Sequence, residues 1–349
     1  MNSETSATSP RLTVVMPTHR RRELVLRSLR ALAAQNVEPG AFDVVLVIDG
    51  EGEGDGTESA VRELATSFPV EILQQPRSGV AAARNRGWHA ARGDIVLFLD
   101  DDIVALPGLI AEHLRHHEGS RRVVIGRFSP DPTLRRTAWQ RYEELVQEKK
   151  YRALMTDERP SGIRLYSGNF SVRREHLEAC GGFDTNLPRN EDVDLGFRLQ
   201  ELGLEFVFAP AADSLHCGYR DFTGWISMPS IYGQLDVAMY RRAGYMGGLE
   251  TIVACYHDRH PLNRAAIRIA LQSHWWLRLV SRALGATGRV AYLARLERVS
   301  FFALSALSNV QYWTGVRDGV RGNASFWSLV RKTRGESRRP YPRSSTAER

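Results

Sequence analysis

The amino-terminal third of the chain alternates apolar runs with helical segments. Four short runs rich in β-branched residues predict buried strands, at residues 12–16, 42–48, 70–73 and 94–99. Segments with apolar residues at helical spacing lie between them, at residues 22–35, 58–67 and 80–91. This alternation is typical of a parallel α/β sheet, in which ligands bind at the carboxyl ends of the strands. The sequence therefore predicts a nucleotide-binding α/β domain.

Beyond Pro107 the alternation becomes less regular. Strands are predicted at residues 123–128, 166–172 and 205–208, and helices at residues 139–154, 175–179 and 192–202. From Trp225 onward the pattern predicts only helices. One uncharged stretch, residues 299–316, is interpreted as a buried helix, because its Ser, Asn, Gln and Thr make it a poor membrane-spanning segment.

Three consecutive carboxylates, Asp100, Asp101 and Asp102, follow the fourth predicted strand. Since side chains alternate along an extended chain, Asp100 and Asp102 are expected on the same side. Mg²⁺ and Mn²⁺ prefer oxygen ligands, and such sites combine one or two carboxylates with substrate phosphates. The triplet therefore predicts a divalent metal site. The alternative is a solvated acidic turn.

A second acidic group, Glu191, Asp192 and Asp194, stands at the start of a predicted helix. Capping and the helix dipole favour acidic residues in a first turn, which accounts for one or two of the three. A general base that deprotonates a hydroxyl must be a carboxylate or histidine near the reacting carbon. A catalytic base is the functional hypothesis here, and helix capping is the structural alternative.

Seven short motifs occur in an order that resembles family 2 of the glycosyltransferases. They are PTHR at 17–20, DG at 49–50, GVAAARNRGWHAARG at 79–93, FLDDD at 98–102, GNF at 168–170, GGFD at 181–184 and EDVDL at 191–195. The resemblance covers about residues 11–215. It implies an α/β fold of the GT-A type, Rossmann-like with a mostly parallel central sheet, here followed by a C-terminal all-helical extension. It also implies a nucleotide-sugar donor and a single displacement with inversion.

The resemblance assigns individual residues to the donor. The expected donor-binding positions are Pro17, Thr18, Arg20, Asp49, Arg84, Asp100, Asp101, Gly168 and Asn169. Of these, Thr18 and Asp49 are expected at the nucleobase and ribose, and Arg84 at the nucleobase or diphosphate. Gly168 and Asn169 are expected beneath the donor sugar.

The resemblance also assigns the metal and the catalytic group. Asp100 and Asp102 are expected to ligate Mg²⁺ or Mn²⁺, with His216 as a further ligand or else an ordinary surface or core residue. Asp192 is the expected general base, and Glu191 is expected to orient that base or the acceptor.

Positive charge is concentrated at the end of the chain. Residues 264–349 contain 16 Lys and Arg against 4 Asp and Glu, although the whole chain has a net charge of only +7. Arg264, Arg268, Arg278 and Arg282 would share one side if residues 265–282 formed a single helix. Trp275, Trp276, Trp313 and Trp327 accompany this charge. Peripheral contact with an anionic membrane, a homodimer and packing on the catalytic domain all stay open.

Other sequence features limit which partners and which cellular compartment are expected. No recognisable nucleic-acid-binding module accompanies the basic charge, which argues against nucleic acid. The three cysteines are widely separated and no secretory signal is visible, so we expect a cytoplasmic protein, with attachment to the inner face of the cell membrane left open. The histidines His113, His116 and His117 are expected on an exposed helix face rather than at a metal.

These expectations divide the chain into five parts. They are a disordered tail (1–10), a nucleotide-sugar-binding half (11–104), an acceptor-binding and catalytic half (105–224), a basic helical extension (225–334) and a second disordered tail (335–349). The predicted reaction moves a sugar from a UDP- or dTDP-sugar to a hydroxyl of a glycan, glycolipid or natural product. The alternatives are a nucleotidyltransferase, which would need a Gly-rich, Lys-bearing loop after the first strand, and a non-catalytic nucleotide-sugar-binding protein.

Overall fold

The computed structural model describes residues 10–50, 54–119, 121–156, 159–241 and 248–334. These residues form two compact units. One unit contains the residues up to Leu134 together with Glu148–Gly218, and the other contains Arg135–Gln147 together with the residues from Tyr219 onward. Apart from Pro10, the predicted tails lie outside the described residues. The five-part division stays a prediction.

The first unit is built on a mixed sheet, with eight strands in the described part of the chain. The strands are β1 Leu12–Thr18, β2 Phe42–Asp49, β3 Val70–Gln75, β4 Ile95–Leu99, β5 Ile103–Ala105, β6 Arg122–Pro130, β7 Asn169–Arg173 and β8 Glu205–His216. Their order across the sheet is β3-β2-β1-β4-β7-β6-β8-β5. The first four neighbours are parallel, β6 and β8 are parallel, and β7 and β5 run antiparallel to their neighbours.

Helices connect the strands and form the rest of the described chain. They are α1 Arg22–Ala33, α2 Thr57–Glu63, α3 Val80–Ala90, α4 Leu109–His116, α5 Ala138–Thr156, α6 Arg174–Cys180, α7 Glu191–Glu201, α8 Phe222–Arg241, α9 Leu249–Ala254, α10 Pro261–Ala270, α11 His274–Leu293, α12 Glu297–Gly319 and α13 Asn323–Lys332. A 3-10 helix spans Gly162–Arg164. The boundary between the two units falls within α5. The alternation predicted for residues 12–99 is confirmed.

The central strands are buried on both faces, as their continuous apolar sequences predict. Every residue of β1 is buried. Because side chains alternate along a strand, Val14 joins an apolar cluster that includes Leu29 of α1, while Val15 joins a different cluster with Trp88 of α3 and Phe98 of β4. This packing fixes the carboxyl ends of the central strands at one edge of the sheet.

Two strands in the later part of the sheet differ from the prediction. β8 continues past the predicted end at Phe208 to His216, with an irregularity in its pairing to β6 opposite Ile125 and Arg127. Pro210 lies in this irregular part, and proline weakens a strand signal in sequence. The short strand β5, which was not predicted, pairs with the end of β8 so that Ile103 lies opposite His216. This pairing brings His216 beside the three aspartates.

The histidines at the end of α4 are not on one exposed face. His113 and His117 are 0% and 1% exposed. Ser171 Oγ lies 2.8 Å from His113 Nδ1 and 2.8 Å from His117 Nε2, and Asn169 Oδ1 lies 2.9 Å from His113 Nε2. The predicted exposed face is therefore wrong for these two histidines, because β7 supplies polar partners beneath the helix.

The second unit contains only helices among the residues described from Trp225 onward. The centre of α12 is buried, with Leu304, Leu307 and Trp313 at 0% exposure, which confirms a helix over residues 299–316 that is buried along one side, although Val299 and Phe302 near its start are exposed. α10 and α11 are separate helices, and the Ser273 side chain caps α11 by accepting a hydrogen bond from Trp276 N at 3.3 Å. Residues 265–282 therefore do not form a single helix. In the described part of the chain, no helix is both long and apolar enough to cross a membrane.

Candidate active site

The polar residues at the strand ends meet at one edge of the sheet. Thr18 at the end of β1 pairs with Ile48, one residue before Asp49. β4 is parallel to β1 and ends directly before the three aspartates. The Asp100 N–H donates to the Gly168 carbonyl at 3.3 Å, just before β7. The parallel pairing of β1 with β2 and β4, and the antiparallel pairing of β4 with β7, therefore bring distant sequence positions onto one edge, where such sheets bind ligands.

Asp101 is turned into the protein. It is 3% exposed, and its carboxylate accepts hydrogen bonds from Thr18 Oγ1 at 2.7 Å and from an Arg21 terminal nitrogen at 2.9 Å. Burial raises the pKa of Asp101 to about 6, although the charge of Arg21 and the hydrogen bond from Thr18 act to lower it. Thr18 and Asp101 thus tie the end of β1 to the loop after β4. Donor contact by either residue stays a prediction.

Several elements converge on Asp102. Its Oδ2 accepts a hydrogen bond from Arg21 at 3.0 Å, and its Oδ1 lies 3.9 Å from His216 Nε2. The backbone of Gly218 presses against the same carboxylate, since a Cβ placed on Gly218 would lie 1.9 Å from Asp102 Oδ2. Only glycine permits this close approach without displacing Asp102.

Arg84 connects the strand-end carboxylates to α7. It lies in α3, is 3% exposed, and donates to Asp100 Oδ1 and to Glu191 Oε1, each at 2.7 Å. The guanidinium carbon also lies 5.5 Å from the centre of the Phe183 ring. A planar guanidinium can satisfy two carboxylates at once from its separate terminal nitrogens. Arg84 therefore holds two residues together that are far apart in sequence.

The three acidic residues at the start of α7 have different surroundings. Asp194 pairs with Arg198 one turn later at 2.8 Å, and Glu191 pairs with Arg84. Asp192 is partly buried and accepts a hydrogen bond from the Val193 N–H at 2.8 Å. Burial, reinforced by the negative charge of Glu191, raises the pKa of Asp192 to about 7. Asp192 therefore has a pKa suited to accepting a proton near neutral pH.

Helix capping does not account for Glu191 and Asp194. The residue that precedes the first turn of α7 is Asn190, which has a positive φ of 61° and makes no side-chain capping bond. Glu191 and Asp194 bind arginines instead of helix N–H groups. Ion pairs thus explain these two carboxylates better than helix capping does, whereas Asp192 accepts a hydrogen bond from the Val193 N–H of the first turn.

Asp49 is used to position α3. Its Oδ1 accepts hydrogen bonds from Gln75 Nε2 at 2.9 Å and from the Ser78 N–H at 2.7 Å, and its Oδ2 accepts from the Gly79 N–H at 3.0 Å. Gly79 directly precedes α3. Asp49 thus anchors the start of the helix that carries Arg84, and its predicted contact with the nucleobase or ribose stays a prediction.

Gly168 and Asn169 lie next to each other with different surroundings. A Cβ on Gly168 would lie 3.1 Å from Asp100 Oδ2, so a side chain there would crowd that carboxylate. Asn169 is 0% exposed, and its amide donates to the carbonyls of Ala212 and Arg127 at 3.0 and 3.2 Å. Gly168 thus borders the site, whereas Asn169 supports it from within the core.

The residues that would hold a divalent metal are Asp100, Asp102 and His216. As the side chains stand, the described residues contain no group of three His, Cys, Asp or Glu that could hold a metal ion. Two carboxylates are nevertheless sufficient for Mg²⁺ or Mn²⁺ when substrate phosphates complete the coordination. The side chain of Asp100 is 35% exposed and that of His216 is 37% exposed. This oxygen-rich set fits a hard cation that binds together with a phosphate-bearing ligand.

Comparison with known proteins shows what the chain resembles. Residues 13–181 match the model of glycosyl transferase family 2, and this span includes the strand-end edge and Arg84. Over these residues the chain is similar to glycosyl transferase family 2.

Curated glycosyltransferases are similar to this chain over part of their length. An uncharacterised glycosyltransferase of Bacillus subtilis is 26% identical over 262 residues, which cover 58% of this chain and 64% of that protein. Validoxylamine A glucosyltransferase of Streptomyces hygroscopicus subsp. limoneus is 27% identical over 223 residues, which cover 56% of this chain and 49% of that protein. The chain thus covers less than two thirds of these relatives.

A solved structure establishes the fold. A mannosyltransferase from Pyrobaculum calidifontis, in complex with GDP-mannose and Mn²⁺, has a TM-score of 0.53 and 21% identity to this chain. The match covers 95% of this chain and 89% of that chain. The GT-A fold with a mostly helical C-terminal region, predicted from the sequence, is confirmed.

The sequence alone did not predict two residues of the site, Arg21 and Gly218. Arg21 is the middle of three consecutive arginines, and only the structure shows which of them reaches the aspartates. Gly218 lies two residues after His216, but no sequence pattern indicates that it contacts Asp102. Of the other predicted positions, Pro17 is buried in β1, and Arg20 is exposed with a positive φ of 52°.

Proposed function

We propose that this chain is a family 2 glycosyltransferase that transfers a sugar from a nucleotide-sugar donor to a hydroxyl group of a glycan, glycolipid or natural product, with inversion at the anomeric carbon. The observation that carries the proposal is the connection through Arg84, which joins Asp100 to the acidic start of α7 by two hydrogen bonds of 2.7 Å. A metal-binding carboxylate and a proton acceptor are thereby parts of one site.

On the donor side, the strand-end edge binds the nucleoside diphosphate. Asp100 and Asp102 would hold Mg²⁺ or Mn²⁺, with His216 beside Asp102. When bound, the cation supplies positive charge that stabilises the departing nucleoside diphosphate. The donor is a UDP- or dTDP-sugar. Since the mannosyltransferase from Pyrobaculum calidifontis is in complex with GDP-mannose, a GDP-sugar is included among the donors to be tested.

On the acceptor side, Asp192 takes the proton from the attacking hydroxyl. The acceptor oxygen forms its bond to the anomeric carbon while the bond from that carbon to the diphosphate oxygen breaks. With a pKa of about 7, about half of the Asp192 carboxyl groups are ionised at neutral pH, and the ionised form can accept a proton. Glu191, held by Arg84, fixes the start of α7 and keeps a second negative charge beside the base.

The first experiment measures nucleoside diphosphate release from UDP-, dTDP- and GDP-sugars, with Mn²⁺, with Mg²⁺ and with a chelator. Asp102→Ala is expected to lose Mn²⁺ binding in calorimetry and metal-dependent turnover together. The matched control is Asp94→Ala, because Asp94 is an exposed aspartate just before the opposite end of β4. Unchanged Mn²⁺ binding in Asp102→Ala would show that the metal site has been placed wrongly.

The same experiment separates the rival functions. Release of pyrophosphate from a nucleoside triphosphate and a sugar 1-phosphate, without release of nucleoside diphosphate from any nucleotide sugar, would identify a nucleotidyltransferase. Binding of a nucleotide sugar without turnover, across a range of hydroxyl acceptors, would identify a non-catalytic binding protein. Either outcome would contradict the proposed transfer.

A further inference from the structure

The helices α10 to α12 expose a concentration of large apolar side chains. Of the thirteen exposed large apolar side chains in the described residues, ten lie between Leu262 and Phe302. The most exposed are Leu293 at 80%, Val290 at 65% and Trp275 at 63%. On a folded domain, scattered single apolar side chains are ordinary, whereas a large continuous exposed apolar surface marks an interaction site.

Six of the outward positions form one stripe along α11. Trp275, Leu279, Arg282, Ala286, Val290 and Leu293 are exposed and fall within a sector of about 80° at about 100° per residue. From Trp275 to Leu293 the stripe runs for about 27 Å, since a helix rises about 1.5 Å per residue. The opposite side of α11 is packed, with Gly285, Gly288 and Ala291 buried. We call this stripe the α11 face.

The apolar surface continues from α11 into the neighbouring helices. Leu296 lies in the turn after α11, and Val299 and Phe302 are exposed in the first turns of α12. The Phe302 ring lies 5.4 Å from the ring of His260, which caps the start of α10. The exposed surface is therefore shared by three helices.

The charged residues around the α11 face are almost all positive. Residues 260–302 contain seven arginines and one acidic residue, Glu297. Three of the arginines, Arg278, Arg282 and Arg289, are exposed and lie toward one edge of the stripe by the same helical spacing. The exposed tryptophans Trp275 and Trp276 stand at the amino-terminal end of the helix, with ring centres 4.7 Å apart. Arginine beside tryptophan and leucine is the composition of a helix that lies in a bilayer interface.

A second copy of the chain fits this surface poorly. A two-fold interface brings the same patch of both subunits together, so the row of arginines would face itself. Like charges placed close together repel, and little acidic charge is available here to offset them. Anionic lipid headgroups supply the missing negative charge, while the boundary of the acyl chains accepts the apolar side chains.

We propose that the α11 face docks the protein on an anionic lipid bilayer. α11 lies in the plane of the interface, with Val290, Leu293 and Trp275 inserted at the boundary of headgroups and acyl chains. Arg278 and Arg282 bind lipid phosphates. Docking is peripheral and reversible. The proposal does not depend on the proposed transfer reaction, because binding is measured without donor or acceptor.

The test is sedimentation of the full chain with vesicles of phosphatidylcholine alone and of phosphatidylcholine mixed with phosphatidylglycerol. We expect binding to the mixed vesicles that weakens as salt increases, because salt screens the arginines. Arg278→Gln combined with Arg282→Gln is expected to weaken partition roughly thirty-fold, since each arginine near such a surface contributes about a fivefold preference. In a parallel series, inorganic phosphate is added to the vesicles. If inorganic phosphate at the same concentration as lipid phosphate displaced the protein from the vesicles, the proposed docking on a bilayer would be overturned.

The apolar part is tested with Val290→Glu combined with Leu293→Glu, and with the milder Val290→Ser combined with Leu293→Ser. Both pairs are expected to lose vesicle binding while circular dichroism and thermal unfolding stay as in the parent chain. The control is Met155→Glu, because Met155 is 53% exposed but lies outside the α11 face. Equal binding of all three variants would overturn the proposal. A doubled mass in solution that the α11 variants abolish, without vesicle binding by the parent chain, would assign the face to a dimer instead.

Discussion

Glu191 and Asp100 accept hydrogen bonds from the two terminal nitrogens of one buried guanidinium, that of Arg84, each at 2.7 Å. Glu191 begins α7, and Asp100 follows β4. Arg84 lies on α3, and Asp49 anchors the start of that helix. The geometry of the acidic pair on α7 is thus set by a residue that belongs to the nucleotide-binding half of the sheet.

Replacing Arg84 tests this connection. Arg84→Met leaves the buried Glu191 and the adjoining Asp100 without their cation, and we expect a loss of about 3 kcal/mol in the free energy of unfolding, measured with urea. The control is Arg62→Met, because Arg62 is 64% exposed and forms a surface pair with Glu58, for which we expect a change within about 0.5 kcal/mol. Equal losses in the two variants would contradict a structural role for the Arg84 connection.

Replacing Asp192 tests the proposed base. Asp192→Asn is expected to keep donor binding, measured by calorimetry, and to lose transfer by about 10²–10⁴-fold, because the acceptor hydroxyl has no proton acceptor. In the parent chain, transfer should rise with pH through about 7 as Asp192 loses its proton. Glu201→Gln, at the exposed end of the same helix, serves as the control. Retained transfer in Asp192→Asn would remove Asp192 as the base.

The pKa of Asp192 also has a consequence for stability. A carboxyl whose pKa is raised on folding favours the folded state below its unfolded pKa, and this contribution is lost as pH rises through the folded pKa. Asp192→Asn removes the negative charge, so above about pH 7 the variant should have a higher melting temperature than the parent chain. At acid pH, where Asp192 is protonated, the two melting temperatures should differ less. The pH dependence of the melting temperature checks this, and a constant difference across pH would count against it.

Gly218 is predicted to control the position of Asp102. Gly218→Ala places a Cβ where Asp102 Oδ2 now lies, so Asp102 must move. We expect weaker Mn²⁺ binding in calorimetry and a higher Mn²⁺ requirement for turnover. The control is Gly54→Ala, since a Cβ on Gly54 would meet nothing within 4 Å. Similar Mn²⁺ binding in the two variants would show that Asp102 is not needed in its present position.

The buried histidines are predicted to make the protein sensitive to acid. Burial lowers the pKa of His113 to about 4 and that of His117 to about 3, so both are neutral in the folded chain at pH 6.5. A base with a lowered pKa contributes stability above its unfolded pKa, and this is lost as pH falls toward the folded pKa. For His113 the contribution is about 3 kcal/mol between about pH 6.5 and 4.

His113→Gln checks this expectation. The variant should show a flatter fall in the free energy of unfolding over that pH range, because glutamine does not titrate. His274→Gln, at an exposed position, is the control and should follow the parent chain. A parent slope unchanged by His113→Gln would show that other groups cause the acid sensitivity.

Local sequence determined the sheet and the positions of the acidic groups. Runs of β-branched residues are buried wherever they form central strands, so β1, β2 and β4 could be predicted from apolar content alone. The three aspartates follow one of these strands, and that order already implied an edge rich in carboxylates.

Tertiary structure decided what each polar residue does there, because its partners come from distant parts of the chain. Asp101 faces Thr18 and Arg21, and Arg84 meets Glu191 across 107 residues of sequence. Two histidines that spacing placed on a surface are buried, because Ser171 of β7 lies beneath them. The basic charge near the end of the chain was visible in the sequence, but the break between α10 and α11 and the packing of α11 decided which apolar side chains are exposed beside it. Local pattern fixes which segments are buried, whereas hydrogen bonds and ion pairs depend on which segments the fold brings together.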